Sequence, residues 1–192
     1  KTGTAKQAIE YLQSKLTKQT GEQFDTLVDI DQIEKDLSIF NKVEIFDKDG
    51  LTWNDFKGPV PVTSSAAATT ASGISYNFST SYENNELKVE YTVGAYFYPS
   101  RSWYKPEVCN DVTLSHEQLH FDITELYARK MRKQLAETTF TENVKEEVRK
   151  IYKSTLRQLN DFQNKYDSET NYSRNLTVQE RWVNEIEAAL KD

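Results

Sequence analysis

The sequence predicts an α+β fold, with a small antiparallel sheet packed against a helical half. Three observations predict it. Two runs that alternate apolar and polar residues, 74–83 and 86–99, flank Asn84 and Asn85, the pattern of a β-hairpin with a two-residue turn tolerant of positive φ. From Leu114 onward, apolar residues recur at helical spacing almost to the end of the chain. At 192 residues, the chain is long enough to bury a sizeable core in one main domain. The expected organisation is an N-terminal helical segment, 1–40, packed on a main domain, 41–192. No internal repeat is visible.

Composition narrows the function classes. Hydrophobic residues make up 37% and charged residues 28%, the balance of a globular protein with solvated helices. Aromatic residues at 12%, eleven of them tyrosines, argue against disorder. A net charge of -6 gives no support to nucleic-acid or anionic-membrane binding, which calls for a basic patch. No apolar run approaches the ~18 residues that span a membrane as a helix. The single cysteine, Cys109, forbids an intrachain disulfide and leaves an isolated thiol as its ordinary reading, with metal ligation or nucleophilic attack as rarer ones. The chain begins at Lys1 rather than methionine, as expected of a processed or trimmed product.

Thr4 to about Lys18 reads as a helix, capped by Thr4 and striped with Ala5, Ala8, Ile9, Leu12 and Leu16. Leu27, Ile30, Ile33 and Leu37 suit a second, less regular helical segment over 24–40. Val43 and Ile45 suggest a short strand. Asp47 to Gly50 then reads as a turn, because the later ligand positions of a calcium loop are missing. Thr52 and Asp55 form a capping-box pattern that predicts one helical turn, closed by Gly58 and Pro59. The small, polar residues 64–73 suggest a loop or irregular strand. Beyond the hairpin, three helices are expected: Leu114 to about Leu135, Thr141 to Tyr166, and Leu176 to Leu190. Val144, Val148, Ile151, Tyr152, Thr155, Leu159 and Phe162 form the core face of the second. The stretch 166–175, YDSETNYSRN, is expected to interrupt the pattern between the last two.

The first of these helices carries the chemistry. The chain has two histidines, His116 and His120, four residues apart with Glu117 between them. On a helix that spacing brings two imidazoles onto one face, where they can share one Zn²⁺, with the intervening glutamate beside the metal's water. At 100° per residue from His116, His120 lies at about 40° and Glu117 at about 100°, whereas Asp122 and Glu125 fall at about 240° and 180°. Those two carboxylates therefore face away. Glu125 is expected to pair with Arg129 at i+4, and Asp122 with a neighbouring element. A catalytic zinc site needs a third protein ligand, and no third histidine exists. The polar break 166–172 offers Asp167, Glu169 and Tyr172. Glu142, Glu146 and Glu147 on the second expected helix come next.

HEQLHFDITELYARKMRKQL, from His116, resembles the signature of a bacterial family long catalogued as of unknown function and described as predicted secreted zinc-dependent proteases. LTWNDFKGPVP (51–61), the alanines at 66–71, Ser102-Trp103 and YDSETNYSRNLTVQERWVNEI (166–186) agree in order. The resemblance covers about residues 41–190. It implies a zincin-like fold, Zn²⁺ as cofactor, a peptide or protein substrate, and a secreted, periplasmic or cell-envelope location. His116, Glu117 and His120 carry over residue by residue. In the family, the block after Y-D-x-E-T continues Asn/Asp-His-Gly, and that histidine would be a natural third ligand; this chain has Tyr172-Ser173. Tyr172 is expected to coordinate through its phenolate or to donate its hydroxyl to a developing oxyanion, with Asp167 or Glu169 as substitutes for the ligand.

The resulting expectation is a zinc-dependent peptidase in which Glu117 acts as general base and the strand segment Leu87–Tyr98 aligns an extended peptide. Two rivals stand beside it. One is a binding or scaffold protein derived from such a peptidase and impaired in catalysis, motivated by the Tyr172-Ser173 departure. The other is a zinc hydrolase of non-peptide amides.

Overall fold

The computed structural model describes residues 50–191. The expected helices before residue 41, the strand at 43–45 and the first three residues of the turn ending at Gly50 lie outside the described residues. The chain divides into two units, Lys1–Lys42 and Val43–Asp192, and everything below concerns the second.

In chain order the described elements are strands β1 (Ala68–Thr69), β2 (Ser72–Glu83), β3 (Glu86–Phe97) and β4 (Trp103–Tyr104), then helices α1 (Asp111–Ala136), α2 (Val144–Thr170) and α3 (Leu176–Lys191). The architecture is α+β, as expected, but the strands form two sheets of two strands rather than one. β2 pairs with β3, and β1 pairs with β4, both antiparallel. The hairpin forms where the alternation predicts it, with Glu83 opposite Glu86. Asn84 and Asn85 take φ of 50° and 69°, the paired positive values of a type I′ turn. The segment 64–73 divides between loop, β1 and the start of β2. Alternation alone could not resolve a two-residue strand whose partner lies 34 residues later.

The expected turn at 52–55 is present as a short 3₁₀ segment, Trp53–Asp55. The Asp55 carboxylate accepts the Thr52 backbone N–H at 2.7 Å and its hydroxyl at 2.9 Å. Gly58 N–H then donates to the Ser102 carbonyl at 2.7 Å, so close that a Cβ on Gly58 would stand 2.9 Å from that oxygen. Ser102, fully buried, accepts from Ala71 N–H at 2.9 Å and donates to the Tyr98 carbonyl at 2.9 Å. This pins the junction between β1 and β2, and so helps hold β1 beside α1.

The core is built around α1. Its Leu119, Phe121, Ile123, Met131 and Leu135 are almost completely buried, and the helix packs on both hairpin strands, on α2 and on α3. Phe97 and Ala95 close it from the hairpin, Val148, Leu159 and Tyr166 from α2, and Trp182 and Ile186 from α3. Of the expected core face of α2, Val144, Val148, Ile151, Thr155 and Leu159 are buried, while Tyr152 and Phe162 are partly so. Burying a large aliphatic or aromatic side chain contributes about 1.5–3 kcal/mol, so a helix enclosed on several sides is a rigid carrier for a site.

Three helix boundaries differ from the sequence reading, the first being that α2 starts at Val144 rather than Thr141. α1 starts three residues earlier than expected, because Asn110 caps it by accepting from Thr113 N–H at 3.0 Å. α2 runs on to Thr170, through the polar stretch expected to break it. Its serines, acids and threonine lower helix propensity only modestly, and packing of Tyr166 and Thr170, both fully buried, overrides that. The break is confined to 171–175.

Candidate functional site

α1 delivers four side chains to one cavity. Thr113, His116, Glu117 and His120 follow the i, i+3, i+4, i+7 spacing of one helix face and line a cavity of about 610 Å³. Ser65 to Thr70 form a second wall. Gln163 and Asp167 of α2 and the turn residues Tyr172, Ser173 and Arg174 complete the lining.

The extension of α2 is what brings in Asp167. Its Oδ1 stands 3.1 Å from Nε2 of His116 and 2.9 Å from Nε2 of His120. One ligand atom from each residue lies within 4.8 Å of the other two. A tetrahedral zinc with bonds near 2.05 Å has ligand atoms about 3.3 Å apart, so the donor set of two imidazole nitrogens and one carboxylate oxygen suits such an ion in chemistry and in scale. The remaining third-ligand expectations fare differently. Glu169, two residues on, is turned about 200° round the helix from Asp167; it accepts from Trp182 Nε1 at 2.9 Å and pairs with Arg181. Glu142 precedes α2, and Glu146 and Glu147 sit in its first turn, roughly 30 Å along the axis from Asp167 at 1.5 Å per residue. Tyr172 lies past the helix end and is 61% exposed at the cavity rim. Cys109 stays out of the cavity; its thiol donates to the Ala67 carbonyl, and burial pushes it above its ordinary pKa.

Groups that the sequence reading missed orient the histidines. His116 stacks on the Tyr166 ring at 4.6 Å, 22° between planes. Gln179 of α3 accepts from His116 Nδ1 through Oε1 at 3.0 Å and donates through Nε2 to the Tyr166 hydroxyl at 2.7 Å. That hydroxyl donates to the His116 carbonyl at 3.3 Å. Burial holds the Tyr166 phenol well above its usual pKa, against the opposing Gln179 hydrogen bond, so it remains a donor. With its proton on Nδ1, His116 points an Nε2 lone pair at the Asp167 carboxylate. Two lone-pair acceptors at that distance attract only with a proton or cation between them. The buried Tyr166 and Gln179 leave periodic traces in the sequence, but nothing local distinguishes them from ordinary core and surface residues.

Electrostatics separate the acids. Burial works to raise the Asp167 carboxyl; with a proton on each facing Nε2, hydrogen bonds to His116 and His120 outweigh that and hold it well below the ordinary carboxylate range. Glu117 is different: it is 5% exposed, and its Oε2 is buried with no hydrogen-bond partner among the described residues. A buried orphan carboxylate oxygen is rare in folded proteins and calls for a ligand or a chemical role. Its helix backbone is tied to the opposite wall, since Thr70 Oγ1 donates to the Glu117 carbonyl at 3.0 Å.

Asp122 and Glu125 face away, as expected. Glu125 pairs with Arg129 and also with Arg132. Asp122 accepts from Gln118 Nε2 at 2.7 Å on its own helix, not from another element; Gln118 in turn accepts from Leu51 N–H. The expected substrate strand, Leu87–Tyr98, contributes no residue to the cavity lining. β1 borders the cavity instead.

Residues 101–174 match the model of a family described as a bacterial protein of unknown function (DUF922). No curated protein and no solved structure matches the chain.

Proposed function

We propose that this chain is a zinc-dependent peptidase whose site is built by His116, His120, Asp167 and Glu117 in a zincin-like arrangement. The observation that carries the reading is the convergence of three ligand atoms from two helices beside a buried carboxylate with a free oxygen. His116 Nε2, His120 Nε2 and one oxygen of Asp167 would hold the ion. When bound, zinc supplies polarisation of the scissile carbonyl and acidification of water.

The chain's own residues do the rest. Glu117 Oε2, spared from any structural bond, accepts the proton of the attacking water and passes it to the leaving amine nitrogen. Gln179 keeps the His116 proton on Nδ1, so that Nε2 stays a ligand. The Tyr172 hydroxyl, at the rim, donates to the oxyanion that develops on the scissile carbonyl.

β1 supplies the edge on which an extended peptide lies. Lys105 N–H donates to the Ala67 carbonyl at 2.8 Å, so Ala67 and, two residues on, Thr69 turn their backbone groups towards β4. By the alternation of an antiparallel ladder, Ala68 and Thr70 turn theirs to the opposite edge, where a peptide backbone can add as a further strand. The resemblance to predicted secreted proteases makes the cell envelope or its exterior the proposed location.

The test is Glu117→Gln. It should retain about one zinc per chain and lose cleavage of a peptide library by 10²-fold or more. Wild-type protein that binds zinc but cleaves nothing the variant spares would reduce the chain to a peptidase-derived binding protein. Protein purified without chelators that holds no zinc would remove the metal as well.

A further inference from the structure

We propose that Arg174 reads a carboxylate on the substrate, so that the site takes peptides bearing an acidic side chain or a free C-terminus near the scissile bond. This inference rests on the peptidase reading above and names its substrate class.

Among the described residues lining the cavity, Arg174 is the one permanently cationic side chain. Glu117 and Asp167 in the same lining carry negative charge, and the whole chain stands at -6, so an acidic substrate needs a local cation to enter. A guanidinium offers five N–H donors in a fixed fork that matches a carboxylate. Only one bond from the Arg174 side chain is present among the described residues: Nη1 donates to the Asn171 carbonyl at 3.3 Å. Arg129, Arg132, Arg149 and Arg181 each hold a carboxylate; Arg174 holds none among the described residues.

Its place is set by the backbone. Asn171, Tyr172 and Ser173 adopt φ of 49°, 52° and 68°, three successive left-handed residues, two of which are neither Gly nor Asn. Such a run is costly for side-chain-bearing residues and persists because bonds close it on both sides. Tyr172 N–H donates to the Asp167 carbonyl at 2.9 Å, and Asn175 N–H to the Thr170 carbonyl at 2.8 Å. The turn thereby fixes Arg174 on the cavity rim, within eight residues of the ligand Asp167. The cavity lining also includes the small residues Ala66, Ala67 and Ala68, which leave room for a substrate side chain.

The experiment measures binding and needs no turnover. Zinc-loaded Glu117→Gln protein is titrated with fluorescent peptides in matched pairs. One set replaces Asp or Glu by Asn or Gln at each position, and the other replaces the C-terminal acid by its amide. We expect an acid-over-amide preference of roughly tenfold or more in one set, which tells side chain from terminus. It should vanish in the Glu117→Gln, Arg174→Ala double variant and turn towards lysine-containing peptides with Arg174→Glu. The absence of a preference in both sets overturns the proposal. So does a preference that survives Arg174→Ala, since the carboxylate then binds the metal itself. Failure of the peptidase reading appears separately, as wild-type protein that cleaves none of the peptides, and leaves the binding ratio decisive for Arg174.

Discussion

Glu117 and Asp122 lie on the same helix, five residues apart, and their surroundings give them opposite tasks. Glu117 keeps a buried oxygen without a partner among the described residues, which no stability argument recommends: leaving such a group unsatisfied costs about 1–3 kcal/mol. Asp122 is bonded to Gln118, yet burial, with Glu187 adding like charge, pushes its carboxyl up to about 6. The consequence for stability has a definite sign. A carboxyl whose folded pKa exceeds the ordinary 3.8 favours the fold while protonated, and that contribution is lost as pH rises from about 4 through 6. Asp122→Asn should remove the loss. In chelator-treated protein, urea unfolding should show the variant more stable than wild type at pH 8 by on the order of 2 kcal/mol, with the two close to equal at pH 4. Parallel pH profiles for both proteins would show that Asp122 is not the group responsible.

At the scale of elements, the end of α2 decides the site. Had the helix stopped at Tyr166, Asp167 would have had no fixed direction towards the histidines. It ends instead at the left-handed Asn171, and strain is concentrated in the next two residues. Asparagine tolerates this conformation, whereas tyrosine adopts it only with strain. Tyr172→Gly should therefore stabilise the protein by about 0.5–1 kcal/mol, because the exposed ring loses little packing. The same substitution should lower peptide hydrolysis through loss of the hydroxyl. Tyr172→Phe separates the effects: hydrolysis should fall with stability unchanged. If the glycine variant melts lower than wild type, the strain argument is wrong. If Tyr172→Phe is fully active, the oxyanion role goes to another donor.

At the scale of the whole molecule, the candidate centre joins α1 to α2 across 51 residues of chain from His116 to Asp167, while Gln179 ties in α3. A ligand that binds only the folded state stabilises it by mass action, about 2.7 kcal/mol at a hundredfold excess over Kd. Removing zinc should thus lower Tm by roughly 5–10 °C for a chain of this size, reversibly on readdition. Asp167→Ala should melt at one temperature with and without the metal. An unchanged Tm on chelation of wild type would mean that no ion links the helices.

Much of this was legible in sequence because it is periodic. The hairpin follows from alternation about Asn84 and Asn85, the helices from 3.6-residue spacing, and the placement of His116, Glu117 and His120 together from the geometry of a single helix. Asp122 and Glu125 were assigned away from the histidines by the same arithmetic. These are local facts, settled within one or two turns of one element.

What only the tertiary structure decided depends on contacts between elements. The sequence alone offers Asp167, Glu169 and Tyr172 in one short stretch for the third position and does not choose among them. Packing of Tyr166 and Thr170 continued α2 through that stretch, turned Asp167 towards the histidines and Glu169 to the opposite face, and left Tyr172 on the rim. The strand that borders the cavity is not the long hairpin but the two residues of β1, whose partner strand is far off in sequence. Nothing local in the sequence distinguishes Gln179 or Arg174 from ordinary core and surface residues. The sequence by itself determined which helix bears His116, His120 and Glu117; the packing of α2 and α3 against it determined what stands opposite them, because direction in space is set where helices touch and not along either one.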